Sequence, residues 1–325
     1  MERYIAIDNV CAWPNLTWLP DGTIITTIFN QPCHGLCEGD VECWASEDGG
    51  RVWRLRGTPA VHEPGTNRMN VAAGLAANGD MIVLASGWSH RPPVGQSAGH
   101  GAPAHPLLPW VCRSTDGGRS WQHAGTLSAP AGQEHAIPFG DIIQLADGCL
   151  GVSLYAGGGA FFYASADDGN SWQHRSTIRG DGLTETTLLT LPDGHVLACA
   201  RTEGDQHLEL FRSTDHGASW QQEQVLSQGS QHPAGLLNLP DGRVLLTYGD
   251  RRQDHWGIEV RVSNDAGHSW NPPLRVVELE GGDLGYPATV PGHDETLVTA
   301  WYCHGVAAHQ RYHMGVAIWR VGEIE

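Results

Sequence analysis

Basic residues are scarce in this 325-residue chain, where 19 Lys and Arg stand against 36 Asp and Glu for a formal net charge of −17. This balance argues against nucleic acid as a partner, because a phosphate backbone would be repelled. No apolar run approaches the ~20 residues of a membrane span, and the first residues lack the apolar core of a signal peptide. We therefore expect a cytoplasmic protein with no membrane partner.

Charged residues of both signs make up only 17% of the chain, whereas glycine, proline and tryptophan are abundant, with 42 Gly, 19 Pro and 13 Trp. Helix interiors tolerate glycine and proline poorly. Many short strands joined by tight turns accommodate both residue types. The composition therefore predicts an all-β fold.

One turn motif of the form S-x-D-x-G-x-x-W repeats along the chain, with intervals of 68, 51, 48 and 50 residues between successive starts. Its five copies are Ser46–Trp53, Ser114–Trp121, Ser165–Trp172, Ser213–Trp220 and Ser263–Trp270. The Asp can accept hydrogen bonds from turn amides, the Gly can adopt positive φ, and the Trp can cover the hairpin. We assign these Asp residues a structural role and no catalytic one.

A second period of turn signals separates pairs of apolar runs, as β-hairpins do. These signals are Leu19–Gly22, Ala77–Asp80, Leu145–Gly148, Leu191–Gly194, Leu239–Gly242 and the weaker Gly292–Glu295. Together the two periods predict a six-bladed β-propeller that occupies residues 1–325 as a single domain. The second blade contains a long loop insertion at about 89–109. The last blade has no motif copy and lacks an outer strand beside Met314–Trp319, which Tyr4–Ile7 can supply.

The eight cysteines are expected to be free thiols, because a chain of this size needs no disulfides and the cytosol is reducing. Cys33, His34, Cys37 and Cys43 lie close together in sequence but lack the C-x2-C pairs of common zinc sites. We expect no metal and no cofactor.

With these motifs the sequence resembles the sialidase (neuraminidase) superfamily of Asp-box propellers across essentially the whole chain. The resemblance implies a site at the propeller axis, where three Arg bind a carboxylate and a Glu activates a Tyr nucleophile. Glu185 begins an inner strand of the fourth blade and resembles the family Glu. Arg201 resembles the second Arg, and Tyr286 begins the sixth blade where the nucleophile lies.

The arginines depart from the family pattern. Ala12 stands where the family's first Arg would lie, so this Arg is absent. Arg251 and Arg252 are both candidates for the third. Arg68 opens the second blade and is a candidate to replace the missing one in space. Two or three Arg suffice to bind a carboxylate.

The acid is expected in the loop between the inner strands of the first blade. His34, Glu38 and Asp40 are candidates there because each can exchange a proton. Asp141, at the start of the third blade, is expected to point toward the axis and contact substrate.

The resemblance implies an exo-acting glycoside hydrolase whose partner is a carbohydrate with an acidic sugar. A lyase acting on uronic acid-containing glycans is an alternative, in which Arg201 neutralises the uronate and His34 or Tyr286 removes the α-proton. A non-catalytic glycan-binding propeller is the third possibility, because fold does not fix reaction.

Overall fold

The computed structural model describes residues 1–35, 37–90, 105–306 and 309–323. These residues form 24 strands and one 3-10 turn, Val321–Glu323, which confirms the all-β prediction. None of the described segments contains a helix long and apolar enough to cross a membrane. The strands form four-stranded antiparallel units, which we number in chain order.

In units 1 to 3 each strand pairs with the next along the chain. Unit 1 comprises β2 (Asn15–Trp18), β3 (Ile24–Phe29), β4 (Val41–Ser46) and β5 (Arg54–Ala60); unit 2 comprises β6 (Asn70–Leu75), β7 (Met81–Ser89), β8 (His105–Ser114) and β9 (Gln122–Thr126); unit 3 comprises β10 (Ile137–Gln144), β11 (Leu150–Ala156), β12 (Gly159–Ser165) and β13 (Gln173–Arg179). The first strands of units 2 and 3, β6 and β10, also form a parallel pair.

Units 4 and 5 repeat this meander, while unit 6 combines the two ends of the chain. Unit 4 comprises β14 (Leu183–Thr190), β15 (Val196–Thr202), β16 (Leu208–Ser213) and β17 (Gln221–Val225); unit 5 comprises β18 (Gln231–Asn238), β19 (Val244–Asp250), β20 (Gly257–Ser263) and β21 (Leu274–Glu278); unit 6 comprises β22 (Leu284–Pro291), β23 (Leu297–Cys303), β24 (His313–Trp319) and β1 (Glu2–Asp8).

The units form a closed ring, because the first strand of each unit contacts the first strand of the next, and β22 contacts β2. The N-terminal strand completes unit 6, as the sequence predicts: β1 runs antiparallel to β24, with Tyr4 opposite Val316. This pairing covers an edge strand that would otherwise be open to pairing with another chain.

The Ser and Asp of the repeated motif make the same hydrogen bonds in all five copies, while the Trp bond to the Gly carbonyl occurs in the first, second and fifth. Unit 2 illustrates the turn. The Ser114 hydroxyl donates to Asp116 Oδ1 at 2.8 Å, and the same oxygen accepts the backbone N–H of Ser120 at 2.9 Å. Trp121 Nε1 donates to the Gly118 carbonyl at 3.0 Å. Hydrogen bonds from Ser120 and Ser114 hold the pKa of Asp116 well below its usual value. The carboxylate is thus committed to its own turn.

The apolar core lies between neighbouring units. Phe162 of unit 3 packs in one cluster with Leu188 of unit 4, and Tyr248 of unit 5 packs with Leu197 of unit 4. Trp319 of unit 6 joins Leu245 of unit 5 in the same way. Each fully buried side chain of this size contributes about 1.5–3 kcal/mol. The ring therefore fixes the relative positions of the inner strands that form the site.

Two predictions need correction here. The insertion expected at 89–109 is shorter at both ends, because Ser89 ends β7 and residues 105–109 begin β8. The part from 91 to 104 lies outside the described residues. The expectation of free thiols is wrong for Cys33 and Cys37, which form a disulfide with a Cα–Cα distance of 6.4 Å. This disulfide closes a short loop that contains His34.

Candidate active site

A cavity of about 430 Å³ opens where the inner strands of all units begin. Its volume falls within the range of small-molecule sites. Each unit contributes at least one polar or aromatic residue to the wall: Trp13, Asn15 and His34 from unit 1, Asn70 and Trp88 from unit 2, Asp141 and Tyr155 from unit 3, Glu185 and Arg201 from unit 4, Arg251 from unit 5, and Tyr286 and Tyr302 from unit 6. The site is therefore built from the whole ring.

Tyr286, Glu185 and Arg201 meet on one side of this cavity. The Tyr286 hydroxyl donates a hydrogen bond to Glu185 Oε1, and Arg201 Nη1 donates to Glu185 Oε2 at 2.8 Å. Tyr286 adopts a φ of 51°, which is strained for an aromatic residue, directly after Gly285. Such strain is found where the surrounding structure holds a functional side chain in place. Here it places the phenol beside the carboxylate.

The phenol of Tyr286 is protonated in the resting protein. Burial, together with the negative charge of Glu185, raises its pKa well above the usual value, although Arg251 and Arg201 oppose this effect. The phenol therefore needs a base to become nucleophilic. Glu185 already accepts its hydrogen bond and is only 8% exposed, so it can receive the proton without solvent.

Arg251 lies next to this group, where its Nη2 is 3.4 Å from the Tyr302 hydroxyl, and no carboxylate among the described residues forms an ion pair with it. Its guanidinium carbon is 5.7 Å from the centre of the Tyr286 ring, and its Nε is buried without a hydrogen-bond partner among the described residues. Burial and the positive charges of Arg251 and Arg201 lower the pKa of His232 to about 2, so both arginines act on one neutral side chain. The two guanidinium groups form a region suited to an anion.

His34 lies on the same cavity and is held by a carboxylate. Its Nε2 is 3.0 Å from Asp283 Oδ2, and its ring makes an edge contact with Trp13 at 5.2 Å. Asp283 also accepts hydrogen bonds from the hydroxyls of Tyr302 and Tyr312. Burial alone would raise the pKa of Asp283, but the bonds from His34, Tyr312 and Tyr302 lower it well below the usual value. The charged carboxylate therefore orients the imidazole.

Asp141 faces the cavity from unit 3, as the sequence predicts. Its environment differs from that of Asp283. Asn15 Nδ2 donates to Asp141 Oδ1 at 3.3 Å and to the Gly140 carbonyl at 2.8 Å. Burial raises the pKa of Asp141 to about 7, although the bond from Asn15 opposes the shift. This carboxyl group is therefore poised between its neutral and charged forms near neutral pH.

The shifted pKa of Asp141 has a consequence for stability. In the unfolded chain its pKa is about 4, so between pH 4 and 7 only the folded protein holds this proton, and stability falls as pH rises through that window. Asp141→Asn cannot ionise, and its amide can donate to Asn15. We expect the variant to be more stable than the wild type by roughly 2 to 4 kcal/mol at pH 8.

This advantage is expected to shrink as the pH falls toward 4. Urea unfolding at pH 5 and pH 8 measures it, and a difference that does not change with pH would contradict the assignment. The matched control is Asp181→Asn, because the side chain of Asp181 is 94% exposed and lies 3.8 Å from Arg179. It should leave stability nearly unchanged at both pH values.

Two of the three candidate acids from the first-blade loop are corrected by the structure. Asp40 Oδ1 lies 2.6 Å from His62 Nδ1 and also accepts the His62 backbone N–H at 2.7 Å. Glu38 Oε2 lies 3.3 Å from His62 Nε2. Both carboxylates are turned toward His62, and neither lines the cavity. Of the three candidates from this loop, His34 is the one that lines the cavity.

Two of the candidate arginines do not line the cavity either. Arg252 pairs with Asp250 through contacts of 2.9 and 2.7 Å and does not line the cavity. Arg68 is 3% exposed, lies 3.7 Å from the centre of the Trp110 ring and donates to the Leu108 carbonyl at 3.0 Å. Its burial lowers its pKa to about 10. It therefore stabilises unit 2 and does not replace the missing arginine.

Sequence reasoning missed Asp283 and Tyr302. Asp283 lies three residues before Tyr286 and directly before β22 begins, so both residues lie at the end of unit 6 that faces the cavity. Tyr302 is paired with Gly285 across the β22–β23 hairpin, so the register brings it beside Tyr286. A hairpin register worked out from the turn at Gly292–Glu295 would have found Tyr302.

No group of three or more His, Cys, Asp or Glu in the described ranges is arranged to hold a metal ion.

The chain is similar to known proteins in its repeats and its fold. The family model for the BNR repeat-like domain matches residues 37–298. The chain belongs to this family. No curated protein sequence matches the chain significantly.

Solved structures share the fold of this BNR repeat-like protein. A protein of unknown function from Dyadobacter fermentans superposes with a TM-score of 0.82 at 22% identity, covering 100% of this chain and 98% of that one. The Hadza microbial sialidase Hz136 gives a TM-score of 0.77 at 19% identity, covering 99% and 69%. The intramolecular trans-sialidase from Ruminococcus gnavus gives 0.76 at 14% identity, covering 99% and 95%. These likenesses confirm a sialidase-like propeller fold.

Proposed function

We propose that this protein is an exo-acting glycoside hydrolase that removes an acidic sugar, with Tyr286 as the nucleophile. The observation that carries the proposal is the hydrogen bond from the Tyr286 hydroxyl to Glu185 beside Arg201, inside the cavity. Arg201 and Arg251 bind the sugar carboxylate. The sialidase-like fold supports this assignment by analogy.

In the first step the Tyr286 oxygen attacks the anomeric carbon while Glu185 accepts the phenol proton. The glycosidic bond breaks, and its electron pair leaves with the aglycone oxygen. Arg201 holds the Glu185 carboxylate at 2.8 Å, so the base is positioned before the sugar binds. A tyrosine nucleophile in place of the usual second carboxylate suits a sugar that already carries a negative charge.

The leaving oxygen takes its proton from His34, because Asp40 and Glu38 are turned away from the cavity. Asp283 binds His34 Nε2, which leaves Nδ1 to exchange the proton. In the second step His34 removes a proton from water, the water attacks the anomeric carbon, and the released phenolate recovers its proton from Glu185.

We propose further that the six units are the blades of one propeller domain whose axis passes through the cavity. Cyclic contacts between the first strands support that view. The five repeated turns then serve as blade-stabilising Asp boxes on the outer part of the ring.

Elimination on a uronate is the second candidate, because the charged Asp283 also makes His34 a suitable base for an α-proton. The two reactions differ in their products. We expect incubation with α-linked nonulosonic acid glycans and with uronate oligosaccharides to release a free, saturated acidic sugar from the former, as measured by mass spectrometry. An unsaturated uronate would identify a lyase, and binding without any product would identify a glycan-binding protein.

A further inference from the structure

The indole ring of Trp13 lies between the two side chains that act on the glycosidic bond in the proposed function. Its centre is 5.2 Å from that of the His34 ring and 6.2 Å from that of the Tyr286 ring. Tyr302 also borders both rings, with centres 6.0 Å and 5.7 Å away. Trp13 and Tyr302 are therefore the aromatic side chains that separate the acid from the nucleophile.

Of these two rings, Trp13 is the one that a substrate can touch. Tyr302 is 0% exposed, and its hydroxyl is bonded to Asp283. Trp13 is partly exposed and lines the cavity. The ring of Phe29, which is 0% exposed, lies nearly parallel to the indole at 5.8 Å between centres and packs against its core side. The exposed surface of the indole is therefore the part turned away from Phe29, on the cavity.

The backbone holds Trp13 in an unusual conformation. Its φ is 41°, in the left-handed region that bulky residues rarely adopt. Tyr286, on the other side of the reacting bond, has positive φ as well. Such strained positions cluster at functional sites, where the surrounding structure holds a side chain in place. The strain at Trp13 is therefore a second observation, independent of the ring contacts, that assigns this side chain to the site.

The proposed chemistry brings the anomeric carbon to this indole. His34 protonates the oxygen bonded to that carbon and Tyr286 attacks the carbon itself, so the carbon must lie between them and against Trp13. In the transition state the sugar ring resembles an oxocarbenium ion, with positive charge on the anomeric carbon and the ring oxygen. The face of an indole attracts cations more strongly than that of any other aromatic side chain. The uncharged ring of the bound substrate does not experience this attraction, so it lowers the barrier.

We propose that Trp13 is a further catalytic residue, whose indole ring lies against the anomeric centre and stabilises the positive charge that develops there. The inference rests on the proposed function, because it takes His34 as the acid and Tyr286 as the nucleophile. Unit 1 thereby contributes an aromatic ring to catalysis although Ala12 stands where the family's first Arg would lie.

Fluorination of the Trp13 ring tests this role and keeps the shape of the side chain, so the fold should be retained. Each fluorine withdraws electron density from the ring face and weakens its attraction for a cation. We expect site-specific incorporation of tryptophans with increasing numbers of fluorine atoms to lower kcat on an aryl glycoside of the acidic sugar progressively, by about three- to thirtyfold in total. KM should stay nearly constant. An unchanged kcat, or a loss confined to KM, would overturn the inference.

Trp18 provides the matched control for fluorination. It lies in the same unit, is 46% exposed and does not line the cavity. The same fluorinated tryptophans at position 18 should leave kcat unchanged. An equal loss at positions 13 and 18 would show that fluorination acts through the fold and would overturn the catalytic role of Trp13.

A binding measurement provides a readout that does not need turnover. The probes are two carboxylated rings with the same hydroxyl groups: a piperidine, whose ring nitrogen is protonated at neutral pH, and a tetrahydropyran, whose ring is uncharged. In calorimetric titrations, we expect Trp13→Leu to weaken the binding of the piperidine relative to that of the tetrahydropyran by about three- to thirtyfold, and Trp13→Phe to weaken it less. The same relative affinity in Trp13→Leu and the wild type would overturn the inference.

The two readouts separate the inference from the proposed function. If the wild type hydrolyses the glycoside and changes at Trp13 affect neither kcat nor the relative affinity, only the inference fails. If the wild type does not hydrolyse it but Trp13→Leu lowers the relative affinity for the piperidine, the indole surface that favours a cation stands and the hydrolase proposal fails. If neither probe binds to the wild type, both fail.

Discussion

Tyr286→Phe is expected to lower kcat by roughly a thousandfold or more, because it removes the attacking oxygen and leaves Glu185 with no proton to accept. The ring itself is retained, so its edge contacts with Phe139 at 5.9 Å and Trp13 at 6.2 Å persist and the fold should be unchanged. Initial rates on an aryl glycoside of the acidic sugar measure the effect, with KM determined separately from kcat.

Tyr163→Phe is the matched control. Tyr163 is a buried tyrosine that does not line the cavity, and its hydroxyl donates to the Ser128 carbonyl at 3.0 Å. Loss of this hydroxyl should lower the free energy of unfolding by about 1 kcal/mol and leave the activity unchanged. A fluorinated sugar with a good leaving group should label the wild-type protein on the peptide that contains Tyr286. Full turnover by Tyr286→Phe, or labelling elsewhere, would refute the nucleophile.

Arg201→Ala is expected to reduce kcat/KM by roughly a hundredfold to a thousandfold, since breaking a buried charge pair costs about 2–5 kcal/mol. The variant removes one of the two cations proposed to bind the carboxylate. It also leaves Glu185 without its ion pair, so both binding and activation of Tyr286 should suffer. The loss should therefore divide between KM and kcat.

Arg252→Ala tests whether any nearby arginine would have the same effect. Arg252 follows Arg251 in sequence but pairs with Asp250, which keeps a second contact to Arg275 at 3.2 Å. We expect near-normal kcat/KM for Arg252→Ala. An equal loss in Arg201→Ala and Arg252→Ala would mean that general positive charge, and not a defined carboxylate site, governs activity.

The positions of Glu185 and Tyr286 could be predicted because repeated turns establish the strand register, and register determines which residues begin an inner strand. The same register places Arg201 at the end of a strand beside Glu185. These residues lie within regular hairpins, so local pattern and position agree.

The roles of Asp40 and Arg68 could not be predicted in this way. The course of the loop that carries Asp40 depends on His62, which lies beyond the next two strands, and on the Asn30 side chain, which accepts the Asp40 backbone N–H at 2.9 Å. Arg68 is fixed by Trp110, which is distant in sequence and follows the long insertion. Such contacts between distant segments leave no local sequence pattern.

Closure of the ring by β1 has a consequence for biosynthesis. Among the described strands β1 is synthesised before all the others, yet it pairs with β24, which is synthesised after them. Until Met314 and its neighbours emerge, β1 has no native partner and β22–β23 has an open edge that other nascent chains can pair with. The ring should therefore close only after β24 has left the ribosome, and slow synthesis of the segment from β22 to β24 would prolong the period in which the protein is prone to aggregate.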